Sequence, residues 1–291
     1  MSALLDIRDL TLSFKSWRGV AEVLHGISLR IEAGERVALV GESGSGKSVT
    51  ARVILGLLQE TRAARVGGTV LFDGADITAL RPGAHAALRG TEMTMIFQDP
   101  TSSLNPTFSI GRQFAEVMRR HAPGLSRAAC DARAAQMLAE VSILDPDRVL
   151  AAYPFQLSGG MNQRVMIAMA LVNEPKLLLA DEPGTALDVS VQAQTLRLMH
   201  QLVEQHGTAV LFISHNLGVV REFADRIYVI YRGRIVEAGP TRAIFEAPGH
   251  AYTRALLAAV PRITGRGLPD VPETSEAFLA PMVSHGGAGA P

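Results

Sequence analysis

The sequence predicts an α/β fold with a helical lobe inserted into it. Two short runs, 36–40 (RVALV) and 177–180 (LLLA), have the unbroken hydrophobicity of strands covered on both faces. Strand-like and helix-like stretches alternate along most of the chain, the pattern of a parallel-sheet architecture. From Pro100 to about Leu157 that alternation stops and two long stretches, 110–121 and 126–144, read as helices.

The elements follow in order. Residues 4–14 alternate as a strand, and 23–31 (VLHGISLRI) read as a second, leading through a turn at Glu32-Ala33-Gly34-Glu35 into the buried strand 36–40. A glycine-rich turn and a helix over about 47–58 come next. Residues 67–72 (GGTVLF) form a strand turning at Asp73-Gly74, and 94–97 form another. Inside the lobe, 110–121 and 126–144 are helical, with Ser126 as N-cap and Met137, Leu138 and Val141 on one buried stripe. The alternation then resumes: helix 160–172 ended by Pro175, strand 177–180, helix 189–206, strand 209–213, helix 217–224, and a hairpin of 227–231 and 234–237 around Arg232-Gly233. Residues from about 265 onward are rich in Gly, Pro and Ala with little periodicity and read as a poorly ordered tail. The expected organisation is one domain over 1–262, with the helical segment of about 100–157 inserted, and a tail over 263–291.

Composition narrows the function. With 47% hydrophobic residues in 291, the chain can bury a sizeable core. Lys plus Arg and Asp plus Glu both total 28, so no basic excess points to nucleic acid or an anionic membrane surface. The single cysteine, Cys130, allows neither an internal disulfide nor a cysteine metal cluster and reads as a small helical residue in a reducing compartment. The start, Met1 to Asp9, carries acids and lacks an apolar run, so no signal peptide is expected. No run of about 18 apolar residues is present, so any work at a membrane is expected to go through partners.

Three motifs carry chemistry. Gly41-Glu42-Ser43-Gly44-Ser45-Gly46-Lys47-Ser48 fits the phosphate-loop pattern. Glycines let successive backbone N–H groups turn inward around a phosphate, and the helix that begins at Lys47 adds its positive end. Lys47 suits the β- and γ-phosphates and the Ser48 hydroxyl suits Mg²⁺. Leu177 to Ala180 delivers Asp181 and Glu182 at a strand's C-terminal edge, where open parallel sheets bind ligands. Asp181 can hold Mg²⁺, and Glu182 can polarise an attacking water. Leu157-Ser158-Gly159-Gly160-Met161 opens a helix and makes a second anion grip, which a monomeric enzyme does not need but a shared site does.

The order phosphate loop, Gln98, Leu157-Ser158-Gly159-Gly160, Asp181-Glu182, Ala186-Leu187-Asp188 and Ser214-His215 resembles the ATP-binding cassette family over about residues 4–262. The resemblance implies a phosphate-loop NTPase (RecA-like) core with an N-terminal antiparallel β subdomain and an inserted α-helical subdomain. It implies ATP and Mg²⁺ as cofactors and a head-to-tail dimer, with ATP held between one chain's Gly41, Ser43, Gly44, Ser45, Gly46, Lys47, Ser48 and Val49 and the other's Ser158, Gly159 and Gly160. By the same resemblance Gln98 contacts Mg²⁺ with Ser48 and Asp181, Glu182 and His215 act with Gln98 at the γ-phosphate, Asp188 lies at the dimer seam, and Phe14 stacks on adenine. Trp17 is a rival for that last role.

Two stretches are similar to the oligopeptide, dipeptide and nickel importers: Gly159-Gly160-Met161 running into 163–171 (QRVMIAMAL), and 250–257 (HAYTRALL). Phe97-Gln98-Asp99-Pro100 with Ser103-Leu104-Asn105-Pro106 agrees. This branch implies an ATPase subunit, peripheral on the cytoplasmic face of the plasma membrane. Its expected partners are a second, different cassette, two integral membrane permeases and, indirectly, an extracytoplasmic solute-binding protein, with no nucleic acid. The expected substrate is a peptide, with nickel or another small solute as the alternative. Asn162 stands where the branch usually has arginine and Gly184 where it usually has threonine, and the tail lacks the cysteine-bearing extension that many peptide cassettes carry. A soluble cassette ATPase is disfavoured because such proteins carry tandem cassettes or a long coiled coil. An inactive interaction module is disfavoured because Glu182 and His215 are present.

Overall fold

The computed structural model describes residues 3–17, 19–59, 61–99, 103–184, 189–259 and 275–285. The chain divides into two compact units, Met1–His85 with Leu211–Pro291, and Ala86–Val210.

The first unit holds an antiparallel sheet of strand order β2-β1-β4-β5, built from β1 (Leu5–Ser16), β2 (Gly19–Ile31), β4 (Ala64–Phe72) and β5 (Ala75–Asp76). One face is a row of buried aliphatic side chains, Leu5, Ile7, Leu10 and Leu12 from β1 with Leu24, Ile27, Leu29 and Ile31 from β2. The other face carries polar residues such as Thr11, which is the alternation of a half-buried sheet.

The same unit contains β3 (Arg36–Val40) between β9 (Arg226–Tyr231) and the end of β8 (Ala209–Ser214). β3 runs parallel to β9, with Val37 to Val40 registered on Arg226 to Val229. Beyond the arginine that opens each, both strands are buried because both faces are covered, and each fully buried Val, Ile or Leu contributes about 1.5–3 kcal/mol by leaving water. β9 turns at Arg232-Gly233 into β10 (Arg234–Pro240), the hairpin the sequence predicts. Helices α1 (Lys47–Ile54), α8 (Leu217–Phe223), α9 (Thr241–Glu246) and α10 (Ala251–Ala258) belong to this unit. α2 (Pro82–Leu88) lies where the chain passes into the second unit.

The C-terminal expectation needs correction. Residues 275–285 are not a loose tail. Glu276–Leu279 forms a 3-10 turn with Phe278 buried, and β11 (Val283–Ser284) adds parallel to β10 through Glu237 and Ala238. A short apolar insertion in a Gly/Pro-rich stretch has no readable period, yet it can pair with an open strand edge.

In the second unit β6 (Met93–Ile96) pairs parallel with β7 (Leu177–Asp181), Met93 opposite Leu177 and Ile96 opposite Ala180. Helices α3 (Ile110–His121), α4 (Arg127–Glu140) and α5 (Pro146–Ala151) pack on one another, and α3 and α4 pack on α6 (Gly159–Leu171). Ser126 caps α4 by accepting from the Ala129 N–H, and Met137, Leu138 and Val141 are buried as the stripe predicts, as is Ala134, which it did not include. Cys130 is buried on the same helix. α7 (Val189–His206) leads into β8.

Candidate functional site

The first unit carries the phosphate loop between β3 and α1. At Gly41 a Cβ would lie 2.1 Å from the Ile230 carbonyl oxygen, so only glycine lets the chain pass there. Gly46 is the N-cap of α1, with φ 110° and no side chain to cap with. Gly46 offers no side-chain oxygen to the first-turn amides of α1, which point out of the helix end, and no acidic residue sits in that turn. Lys47 is buried, and its Nζ donates to the carbonyl oxygens of Gly41 at 2.8 Å and Glu42 at 2.7 Å. The Ser45 N–H donates to the Glu42 carbonyl at 3.2 Å. The donor set, with an ammonium and a run of amides at a positive helix end, suits a polyphosphate. Ser48 and Val49 lie half-buried in the first turn of α1, and Ser43 and Gly44 are exposed on the loop.

His215 follows β8 and is exposed. It is held in a tight strand-to-helix turn: the Ser214 hydroxyl accepts the Asn216 N–H at 3.0 Å, and the Asn216 side chain caps α8 by accepting from the Gly218 and Val219 N–H groups. Phe14 is half-buried in β1 between Ala21 of β2 and Ala64 of β4, whereas Trp17, beyond the strand, is 87% exposed.

In the second unit the parallel register explains how Gln98 and Glu182 meet. Each lies two residues beyond the paired Ile96 and Ala180, so both leave the same sheet edge. Gln98 Nε2 donates to Glu182 Oε2 at 3.1 Å. Asp181 ends β7 and is buried. Glu182 adopts φ 49°, a left-handed conformation that costs a residue with a Cβ and that clusters at working sites.

Ser158 caps α6, its hydroxyl accepting the Met161 N–H at 3.3 Å, with Gly159 exposed and Gly160 half-buried behind it. Asn162, the departure from the branch pattern, is buried, and its Nδ2 donates to the Pro154 carbonyl at 3.0 Å, anchoring the turn before Ser158. Asp188 lies outside the described residues.

Sequence reasoning assigned no role to Tyr252, whose hydroxyl accepts the Glu42 N–H at 2.9 Å. Its position in the stretch 250–257 marked a branch, but nothing local tied it to a loop so distant in the chain.

A glycine-cornered phosphate loop on a parallel strand, with an Asp-Glu pair ending a second parallel strand, defines a phosphate-loop nucleotide-binding cassette. Residues 24–185 match the family model described as ABC transporter, and residues 236–279 match the oligopeptide/dipeptide transporter C-terminal region. The peptidoglycan transport ATP-binding protein YejF of Agrobacterium fabrum is 51% identical over 89% of this chain, which spans 47% of that protein. A probable peptide ABC transporter ATP-binding protein, y4tR of Sinorhizobium fredii, is 48% identical over 96% of this chain and 84% of its own. Among solved structures, the ATP-binding cassette MJ0796 in a dimeric post-hydrolysis state with ADP and Pi superposes with a TM-score of 0.72 at 28% identity, covering 82% of this chain and 99% of that one. The chain belongs to the ABC transporter family, as an ATP-binding, ATP-hydrolysing subunit. Among the described residues no helix is long and apolar enough to cross a membrane.

Proposed function

We propose that this subunit drives peptide import, binding ATP-Mg²⁺ in a head-to-tail cassette dimer. The observation that carries the peptide reading is the match of residues 236–279 to the oligopeptide/dipeptide transporter C-terminal region, present beside the cassette itself. In this reading Gly41, Ser43, Gly44, Ser45, Gly46, Lys47, Ser48 and Val49 hold the phosphates through amides and ammonium. Ser48, Asp181 and Gln98 are the oxygen donors for Mg²⁺, a set with one carboxylate, as suits an ion that binds mainly through phosphate and water. Mg²⁺ would neutralise charge developing between the β- and γ-phosphates. Glu182 polarises the attacking water and Gln98 orients its carboxylate, while His215 contacts the γ-phosphate. Ser158, Gly159 and Gly160 serve the site of the facing cassette, Asp188 lies at the dimer seam, and Phe14 stacks on adenine.

The partners in this reading are a second cassette of different sequence, two integral permeases and, through them, an extracytoplasmic binding protein. The subunit would sit peripherally on the cytoplasmic face of the membrane. Co-purification with two membrane proteins, followed by reconstitution with the binding protein, tests it. Short peptides should stimulate ATP hydrolysis in the assembly. Stimulation by nickel but not by peptides would move the substrate to the alternative, and the absence of any membrane partner would refute the transport reading.

A further inference from the structure

Tyr252 and the C-terminal segment form a brace behind the phosphate loop. Glu42 opens that loop, and its backbone is gripped on both sides. Its carbonyl accepts from Lys47 Nζ and from the Ser45 N–H, and its own N–H donates to the Tyr252 hydroxyl at 2.9 Å. The Tyr252 ring is 1% exposed, packed at 4.4 Å between centroids on Tyr231 and at 5.4 Å, edge-on, on Phe278.

The brace is itself held in place. The Glu237 carboxylate, fully buried on β10, accepts from the Gly249 N–H at 2.6 Å and the His250 N–H at 3.1 Å, fixing the start of α10. His250 Nδ1 accepts the Tyr252 N–H at 3.2 Å, so its Nε2 carries the proton and donates to the Ala280 carbonyl at 3.3 Å. His285 Nε2 donates to Glu237 at 2.6 Å, closing the C-terminal segment onto the same carboxylate. Burial, then the neighbouring Glu42 charge, pushes the Tyr252 phenol upward, so it stays a neutral hydroxyl that can accept the amide at any physiological pH.

We propose that Tyr252 is a positioning residue for nucleotide binding: its hydroxyl presets the entry of the phosphate loop, and residues 275–285 set its position through Phe278. This rests on the reading of Gly41 to Ser48 as the phosphate grip. A loop that is preset binds with its intrinsic affinity, whereas a loop that visits the binding shape only part of the time keeps only that fraction of its affinity. Removing one buried hydrogen bond from the preset state changes such a balance about 3- to 10-fold.

The test uses the full chain and Mg-ADP titrated by calorimetry, with wild type, Tyr252→Phe, Phe278→Leu and Lys47→Ala. Tyr252→Phe keeps the ring packing and should weaken ADP about 3- to 10-fold, with Phe278→Leu shifting affinity in the same direction by less. In the assembled transporter the KM for ATP should rise by the same factor with kcat at saturation little changed. A merely structural Tyr252 would lower the thermal midpoint and leave affinity and KM at wild-type values, which overturns the proposal. Should Tyr252→Phe fail to fold, unchanged ADP affinity in Phe278→Leu overturns it equally. Lys47→Ala separates the two layers. Lost binding there with unchanged binding in Tyr252→Phe removes the brace alone, whereas wild-type binding in Lys47→Ala removes the phosphate-loop reading and the brace with it.

Discussion

Replacing Glu182 by Gln isolates the chemical step. The Glu182 carboxylate accepts from Gln98 Nε2 at 3.1 Å, and as a carboxylate it can receive a proton or orient a water. In Glu182→Gln the amide oxygen keeps the bond from Gln98, because Gln98 Nε2 can only donate. The new NH₂ group can neither accept a proton nor carry charge. The change is thus nearly isosteric, and the amide oxygen is left in the partnered place. Loss of a well-placed general base typically costs ~10²–10⁴-fold in rate, or roughly 2.7–5.5 kcal/mol of transition-state stabilisation. Phosphate release by the assembled transporter at saturating ATP should therefore fall at least ~100-fold. ATP affinity should stay near wild type, since the phosphate loop and Asp181 are untouched. ATP-dependent closure of the cassette pair, followed by size exclusion or crosslinking, should accumulate. Turnover within a few-fold of wild type would remove Glu182 from the chemistry. Lost turnover without closure would keep Glu182 in the chemistry and refute the shared-site dimer.

Three other outcomes follow from the same structure. Lys47→Ala deletes the ammonium and its bonds to the Gly41 and Glu42 carbonyls, so ATP-Mg²⁺ binding by calorimetry should nearly vanish. Phe14→Leu should weaken ATP by about 1–3 kcal/mol if Phe14 stacks on adenine, a typical worth of base–aromatic stacking, while Trp17→Ala leaves binding unchanged. The reverse result would give the role to the exposed Trp17. Burial alone would raise the Glu237 carboxyl, but the neighbouring Thr253 and His285 side chains and the Gly249 and His250 amides hold it below the ordinary carboxylate value. Its folded pKa is depressed, so its stabilising contribution is present above the ordinary value of 4.5 and is lost as pH falls below that toward the folded pKa. Glu237→Gln should lower the thermal midpoint near neutral pH and flatten the acid limb of the stability curve below about 4.5, measured by thermal unfolding against pH.

What the amino-acid sequence determined by itself is whatever lies within one element or one contiguous motif. Arg36–Val40 and the LLLA of β7 are legible as buried strands because an unbroken apolar run leaves no face for water. The phosphate loop is legible because its glycines, lysine and serine are contiguous and each answers a local backbone or charge requirement. The N-caps Ser126 and Ser158 are legible for the same reason. Tertiary structure alone decided what meets across the chain. Gln98 and Glu182 are 84 residues apart and touch only because β6 and β7 pair in a parallel register that sends both off one edge. Tyr252 lies 210 residues from Glu42, and no period or composition ties a helix near the C-terminus to the first turn after β3. The segment 275–285 reads as loose because Pro and Gly break any local pattern, yet Phe278 finds an aromatic pocket against Tyr231 and Tyr252, and Val283–Ser284 finds an open edge on β10. Local sequence encodes conformational preference, whereas a contact between distant residues exists only once the entropy of closing the intervening chain has been met by the rest of the fold.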